Sequence, residues 1–317
     1  MNRSIVKRIP GRLAFGGRSF YAKLGTTIDR ELNYSQQKVG AAGIGNSDNR
    51  DSQAYYKIMM TPDGRLAPAD ALVLWPYNNP VIGTGIFNPG DAADTPALVH
   101  GNDSSLDTLT NAALTKQPTM TFHPEKTLIG QIELTCLRGL GKNWSDANSL
   151  ITEADAGGTF YDAAFGNSSI VTQDYTMTWG GFGGVAGVDF YDGLTFEPGE
   201  EWQDDEVAVH GLFNRHIKNV SGILRGIPLG QTREVIQTQL KIQGPGAARG
   251  SSGAAKAFPL AIKGADGLTY LSAPLAQLVK SKIQNGVEQL REGEVAWEFI
   301  RPFAAGVPGA LYTVPVV

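Results

Sequence analysis

The sequence predicts a mainly β protein made of two tandem copies of one domain, each a β-sandwich or half-barrel with one short helix. Three observations predict this fold. The chain has 317 residues, about twice the size of a typical domain. Its 39 glycines and 17 prolines suit many short strands joined by tight turns. Several short segments also recur in the same order in both halves, which places the copies at residues 1–160 and 161–317.

The clearest recurrence lies near the end of each half. Pro96-Ala-Leu-Val-His-Gly101 matches Pro259-Leu-Ala-Ile-Lys-Gly264, an offset of 163 residues (264 minus 101). At the same offset, Ile132, Leu134 and Cys136 match Val295, Trp297 and Phe299, so the apolar phase is preserved. Further matches pair Leu13 with Met177, Phe20 with Phe190, Leu24 with Leu194, and Asn111-Ala-Ala-Leu114 with Ser272-Ala-Pro-Leu275. The alternative explanation is that β-rich domains commonly reuse Gly-Asp turns and alternating strands.

Local patterns define the expected elements. Strict alternation of apolar and polar residues predicts half-buried strands at residues 132–136, 175–179, 295–299 and 310–314. Pairs that favour positive φ predict hairpin turns at Asp63-Gly64, Asp192-Gly193, Asp266-Gly267 and Asn285-Gly286. A helix is predicted over residues 232–243, capped by Thr232 and stopped by Gly244-Pro245. Its shorter counterpart is expected around residues 69–74, before Pro76.

Composition and charge exclude several classes of protein. The net charge is −4, with 27 basic and 31 acidic residues, and the basic residues are too scattered for a nucleic-acid reader. A single cysteine, Cys136, excludes an intramolecular disulfide framework, and its alternation with Ile132 and Leu134 predicts burial. We find no signal peptide and no apolar run long enough to span a membrane, so a cytoplasmic product is expected.

Candidate chemical sites are weak throughout the sequence. His210 and His216 are six residues apart, which suits no helical metal site. Residues 244–250 superficially resemble a phosphate loop, but a helix is expected before them and none after, so a flexible loop is the better interpretation. The acidic residues 197–206 lack a calcium-loop pattern and are interpreted as a solvated hairpin tip. We therefore expect no enzyme, metal or cofactor.

Several short motifs are distributed over much of the chain. The first half contains Leu74-Trp-Pro-Tyr77, Leu98-Val-His-Gly101 and Trp144-Ser-Asp-Ala-Asn-Ser-Leu150. The second half contains Gly264-Ala-Asp-Gly-Leu268, Leu290-Arg-Glu-Gly-Glu294 and Phe303-Ala-Ala-Gly-Val-Pro-Gly-Ala-Leu311. Through these motifs the chain resembles the major tail proteins that form the tail tube of long-tailed, non-contractile phages. These motifs are turns and strand edges, so they imply an assembly and not a reaction.

The resemblance implies a structural virion protein, assembled in the host cytoplasm, whose rings stack into a tube. DNA and the tape-measure protein pass through such a tube, and the implied partners also include the tail terminator and distal tail proteins. Most members of the family have one domain per chain and form hexameric rings. Two copies per chain therefore imply a trimer with pseudo-sixfold symmetry. Head-to-tail contacts of this kind close into rings and remove exposed strand edges.

An acidic chain without a basic stripe fits a lumen that does not hold DNA, because phosphate binding requires concentrated positive charge. Acidic residues that are candidates to face the lumen or a neighbouring subunit are Glu197, Glu200, Glu201, Asp204, Asp205, Glu206, Glu294 and Glu298.

Two other functions are consistent with a β-rich chain. One is another tail or baseplate component with the same fold, such as a distal tail or tail completion protein. The other is a carbohydrate-binding or hydrolytic β-domain that uses Trp144, Trp179, Trp202 and Trp297. The apolar phase of Trp179 and Trp297 predicts core positions, which argues against the second.

Overall fold

A computed structural model describes the chain over residues 11–38, 46–62, 71–78, 97–100, 105–109, 112–123, 129–137, 151–155, 175–180, 190–207, 211–228, 257–265, 267–281, 294–304 and 307–314. Within these ranges the protein is mainly β, as the sequence predicts. Helical structure there is limited to one α-helical turn, α1 (Ala71–Leu74), and one 3₁₀ turn (Pro76–Asn78).

The strands fall into two long runs along the chain. The first run is β1 (Arg12–Phe15), β2 (Arg18–Lys38), β3 (Asn46–Pro62), β4 (Ala97–His100), β5 (Ser105–Leu109), β6 (Ala112–Lys116), β7 (Met120–Phe122), β8 (Ile132–Leu137) and β9 (Ile151–Asp155). The second run is β10 (Tyr175–Trp179), β11 (Phe190–Val207), β12 (Gly211–Pro228), β13 (Phe258–Gly264), β14 (Thr269–Ser281), β15 (Val295–Phe299), β16 (Phe303–Ala304) and β17 (Val307–Pro308).

The described strands form two large antiparallel sheets and one small one. The first sheet has the order β6-β8-β3-β2-β1-β4-β5-β9, and the second has the order β10-β13-β14-β15-β12-β11-β7. Only residues 110 and 111 separate β5 from β6, although these strands lie near opposite ends of the first sheet. The sheet therefore curls into a half-barrel. Strands β16 and β17 form the small sheet.

Strand β7 crosses from one half of the chain to the sheet of the other half. It follows β6 of the first sheet by three residues, yet it pairs with β11 at the edge of the second sheet. The proposed division at residue 160 stays a prediction, and this crossover is the feature that any division must accommodate.

Three of the four strands predicted from alternation are confirmed. Ile132, Leu134 and Cys136 of β8 are buried, and so are Val295, Trp297 and Phe299 of β15, and Met177 and Trp179 of β10. The fourth, at residues 310–314, is wrong: this segment makes a single bridge, between Ser272 and Thr313. The consecutive residues Leu311 and Tyr312 are both buried, so the chain here does not alternate between two faces.

The predicted turns have mixed outcomes. Gly267 has φ 80° and lies in the turn between β13 and β14, as expected. Gly193 also has a positive φ, 77°, but it lies inside β11 where the register with β12 shifts between Phe190 and Leu194. The expectation of a hairpin turn there is wrong, because the glycine forms a bulge within a continuous strand.

Other expectations fall partly or wholly outside the described residues. Asp63-Gly64, Asn285-Gly286, the helix at 232–243, the loop at 244–250, Trp144 and His210 lie outside them. Helix α1 lies within the range expected for the shorter helix of the first half, but the expectation of one helix in each half stays a prediction.

The two sheets share a register shift at the base of their longest hairpins. In β2 and β3, Ala22 pairs with Pro62 and the next pair is Thr26 with Met60. In β11 and β12, Phe190 pairs with Pro228 and the next pair is Leu194 with Gly226. In both hairpins the two pairs are separated by four residues on one strand and two on the other (22 to 26 and 62 to 60; 190 to 194 and 228 to 226). The sequence matches of Phe20 to Phe190 and Leu24 to Leu194 stay predictions.

A second register shift also occurs in both sheets. It falls between Leu114 and Lys116 where β6 pairs with β8, and between Leu278 and Lys280 where β14 pairs with β15. Ala112 pairs with Cys136, and Ala276 pairs with Phe299. The sequence match of Leu114 to Leu275 stays a prediction.

One apolar core joins the two sheets. Its buried residues come from both halves and form a single contiguous cluster. Phe196 of β11 stacks on Phe299 of β15 at 5.4 Å between ring centroids, and Tyr312 lies edge-on to Phe196 at 4.9 Å. Phe122 of β7 is fully buried in the same cluster. Burial of Cys136, Trp179 and Trp297 is confirmed.

Candidate functional site

The candidate acidic residues lie mainly on a long two-stranded arm. Strand β15 pairs with β12 only from Ile223 to Gly226, and β7 pairs with β11 only from Leu194 to Phe196. Beyond these contacts, residues 198–207 of β11 and 211–222 of β12 pair only with each other among the described strands. We call these two stretches the second arm. Residues 197–206 therefore form the side of a hairpin, and the expectation of a hairpin tip is wrong.

Charge complementarity accompanies the backbone pairing of the two strands of the second arm. Residues 197–206 carry six carboxylates and no cation, whereas β12 carries Arg215, His216, Lys218 and Arg225 and no carboxylate. Arg215 Nε lies 2.8 Å from Asp204 Oδ1, and His216 contacts Asp205. Because these pairs are partly exposed, each contributes only about 0–1 kcal/mol. They align the strands more than they stabilise the fold.

A second ion cluster lies at the base of the second arm. Arg225 Nε donates a hydrogen bond to Glu197 Oε2 at 2.9 Å, and its Nη1 lies 3.5 Å from Glu294 Oε1. The hydrogen bond to Glu197 is the main reason that the pKa of Arg225 is raised. Two of the candidate acidic residues, one from β11 and one beside β15, therefore share one cation of the same chain.

Glu200 differs from the other candidates because it points toward buried residues of the first half. The backbone nitrogen of Gln117 donates to Glu200 Oε1 at 3.1 Å, and Gln117 Nε2 donates to the same oxygen at 2.7 Å. Burial raises the pKa of Glu200, and the hydrogen bonds from Gln117 only partly oppose that effect. The arm is thus attached to the body of the protein through a carboxylate with a raised pKa.

Gln117 joins four segments of the chain that are distant in sequence. Its side chain is 1% exposed. Besides its bonds to Glu200, Nε2 donates to Tyr312 Oη at 3.0 Å, and Oε1 accepts a hydrogen bond from the backbone nitrogen of Tyr77 at 3.2 Å. Both ends of the amide are therefore satisfied, as a buried amide requires. Gln117 lies between β6 and β7, where the chain crosses between the sheets.

Residues 75–77, which follow α1, complete the cluster of hydrogen bonds around Gln117, which we call the junction. Trp75 Nε1 donates to the carbonyl oxygen of Pro118 at 3.0 Å, and Tyr77 Oη donates to that of Leu114 at 2.7 Å. The ring of Tyr77 packs edge-on against Trp202 of the second arm, with centroids 5.5 Å apart. Burial raises the pKa values of Tyr77 and Tyr312, so both phenols stay protonated at neutral pH. The junction is a set of fixed hydrogen bonds.

The structure does not bring the predicted site residues together in one place. Glu197 and Glu294 meet at Arg225, Asp204 and Asp205 lie along the arm, and Glu200 enters the junction. The side chains of Glu201 and Glu298 are exposed on β11 and β15, and Glu206 is a residue of β11. Their orientation toward a lumen or neighbour stays a prediction.

Sequence reasoning missed the residues that form the junction. Gln117 has no motif around it, and its partners lie 40 to 195 residues away. The sequence distinguishes Leu74-Trp-Pro-Tyr77 only through its resemblance to tail proteins. No pattern within one segment of the chain could have found this cluster.

The described residues offer no constellation for metal chemistry: within them, no group of three or more His, Cys, Asp or Glu side chains could hold an ion. The thiol of Cys136 is fully buried, and burial raises its pKa well above the ordinary value. In the part of the chain described, no helix has the length and apolar character to cross a bilayer. Comparison of the sequence with known protein families and with curated proteins finds no match.

Proposed function

We propose that this chain is a duplicated tail-tube subunit, a structural protein whose rings stack into the tail tube of a long-tailed phage. The observation that carries the proposal is the correspondence between the two sheets. The neighbours β8-β3-β2 and β1-β4 of the first sheet correspond to β15-β12-β11 and β10-β13 of the second. The sheets differ in that β1 pairs with β2, whereas among the described strands β11 pairs with β7 and not with β10. Strands β5 and β6 correspond to the two parts of β14, which pairs with both β13 and β15.

The shared register shifts strengthen the case for a duplication. β-bulges are specific features that are retained within families. Two sheets of unrelated origin would share a strand order more easily than two register shifts at equivalent pairs. We infer that each half of the chain is one copy of the tube domain and that the copies occupy neighbouring positions in a ring.

The long hairpins support assembly. The hairpin of β2 and β3 pairs from Ala22 to Lys38, whereas β8 contacts β3 only from Tyr55 to Met60. The first half therefore has a two-stranded arm of its own, similar to the second arm. Two-stranded ribbons are marginal in water by themselves, and their open edges invite further pairing. Neighbouring subunits in a closed ring would supply that pairing.

The proposal assigns the remaining roles as follows. Three chains provide six domains and six arms, arranged as a trimeric ring with pseudo-sixfold symmetry. The exposed carboxylates Glu201 and Glu298 are candidates for the lumen, where they would repel passing DNA. The assembled protein belongs to the virion, beside the tape-measure, tail terminator and distal tail proteins.

Negative-stain electron microscopy and light scattering of the purified chain test this proposal. We expect particles of three times 33.8 kDa, or stacks of such rings, with a central channel and threefold symmetry that looks sixfold at low detail. Single rings that never stack would favour another tail component of the same fold. A monodisperse monomer at every concentration would refute the proposal.

A carbohydrate-binding function has less support. Trp179 and Trp297 are buried, and Trp202 packs against Tyr77. These three indole rings are therefore not arranged as an open stacking surface for sugars. We do not put this function forward.

A further inference from the structure

One face of the second arm packs against the rest of the protein. Glu200 of β11 pairs with Val220 of β12, and Trp202 pairs with Ile217, and residues paired in this way project to the same face of a ribbon. Val220 and Ile217 are 7% and 5% exposed and belong to the apolar core, and Trp202 packs against that core. Glu200 is therefore a carboxylate within an otherwise apolar docking face.

The junction surrounds this carboxylate mainly with neutral groups. Gln117 donates two hydrogen bonds to Glu200 Oε1, from its backbone nitrogen at 3.1 Å and from Nε2 at 2.7 Å. The phenols of Tyr77 and Tyr312 are close enough to feel the charge of Glu200, and burial keeps both protonated by raising their pKa values. The cation that acts on Glu200 is Lys116 of β6, whose side chain is exposed.

The other charged groups around the junction have partners of their own. Arg215 pairs with Asp204 farther along the arm at 2.8 Å. Arg301, which acts electrostatically on Tyr312, donates a hydrogen bond to the carbonyl oxygen of Gly309 at 2.9 Å. Among the described residues, Glu200 has no ion-pair partner. Ionisation of Glu200 therefore favours a state in which water can reach its carboxylate.

The base of the second arm is anchored independently of this face. Strand β7 pairs with residues 194–196 of β11, and β15 pairs with residues 223–226 of β12. The hydrogen bonds to Glu200 and the contact of Trp202 with Tyr77 lie beyond these pairings. The arm can therefore leave the junction while its base stays within the second sheet.

We propose that the junction is a proton-operated latch, which holds the second arm against the core while Glu200 is neutral and releases the arm when Glu200 ionises. The proton acts as a ligand that binds the docked state better than the released state, so it shifts the population toward docking. The inference concerns the unassembled chain and does not depend on the proposed ring.

The direction of the pH dependence follows from burial of the carboxyl group. Burial raises the pKa of Glu200 above the ordinary 4.5 in the docked state, and the bonds from Gln117 and the charge of Lys116 only partly oppose this effect. Docking is therefore strongest below pH 4.5. It should weaken about tenfold per pH unit up to the raised pKa and stay constant above it.

Hydrogen exchange measured by mass spectrometry on the dilute full chain tests the latch. Between about pH 4 and about pH 8, and after correction for the intrinsic effect of pH on exchange, residues 198–207 and 211–222 should lose protection about tenfold per pH unit and then reach a plateau. On the plateau they should exchange faster than residues 295–299 of β15, which require opening of the sheet. Protection that is independent of pH, or an arm that exchanges no faster than β15, would overturn the inference.

Two matched variants identify the group responsible. Glu200→Gln keeps an oxygen that accepts the bonds from Gln117 but cannot ionise, so its arm should stay protected over the whole pH range. Glu201→Gln makes the same change at the adjacent exposed position and should behave like the parent protein. The parent's loss of protection, if it persisted in Glu200→Gln, would contradict the latch.

Lys116→Gln tests the same carboxylate from outside the junction. Lys116 is exposed, so the variant should fold, but it lacks the charge that favours ionised Glu200. The docked-state pKa of Glu200 should then rise, and the loss of protection should continue to a higher pH than in the parent protein. A plateau at the same or a lower pH would count against the latch. These measurements on unassembled protein leave the proposed tube subunit unaffected.

Discussion

At the scale of single residues, Glu200 is a half-buried carboxylate whose ionisation affects the stability of the fold. Burial raises its pKa above the ordinary 4.5. The folded protein therefore binds this proton more tightly than the unfolded chain does. Glu200 contributes its full stability below the ordinary pKa, and that contribution is lost as the pH rises through the folded-state value.

We expect Glu200→Gln to weaken the dependence of the protein's stability on pH. The amide oxygen can still accept the hydrogen bonds from Gln117, but no charge is buried. Melting temperatures between about pH 4 and about pH 8 should fall less with rising pH in the variant than in the parent protein. Glu201→Gln, at the adjacent exposed position, is the matched control. An unchanged slope for Glu200→Gln would show that Glu200 is not the group responsible.

At the scale of elements, the bulge in β11 makes the pairing with β7 possible. Gly193 has φ 77°, and a Cβ atom there would collide with the backbone carbonyl oxygen of Phe122. Gly267 has a similar φ of 80°, but a Cβ atom there would meet nothing within 4 Å. Comparing the two positions therefore distinguishes the cost of a left-handed backbone, which both share, from the cost of a steric clash, which only Gly193 has.

Alanine at each position measures that difference. Gly267→Ala should cost about 1–2 kcal/mol, the strain of a left-handed conformation. Gly193→Ala should cost clearly more in urea unfolding, because β7 must also move away from β11. In Gly193→Ala, the backbone amides of residues 120–122 in β7 should lose protection from hydrogen exchange. Equal costs for the two variants would contradict a close approach of β7 to the bulge.

At the scale of the whole molecule, the crossover of β7 and the common core couple the two halves. Strand β7 covers Leu194 and Phe196 of the second sheet, and Gln117 bonds to both Glu200 and Tyr312. We expect the chain to unfold in a single calorimetric transition, although it is long enough for two domains. A separate fragment of residues 161–317 should melt at a lower temperature or fail to fold. Two resolved transitions would show that the halves are energetically independent.

The sequence by itself determined the local character of the protein. A period of two is a property of neighbouring residues, so it correctly predicted β8, β10 and β15 and the burial of Cys136, Trp179 and Trp297. The match of Ile132 to Val295 also follows from sequence alone. This match stays a prediction.

Only the tertiary structure decided how these pieces meet. The Asp192-Gly193 pair has the same local chemistry as a hairpin turn, but pairing with β12 at Phe190 and again at Leu194 keeps β11 continuous through it. The acidic residues form a strand because their backbone pairs with β12 along its length. Gln117 acquires its role from segments as far as 195 residues away. Contacts over such separations depend on how the whole chain packs, and no pattern of neighbouring residues encodes them.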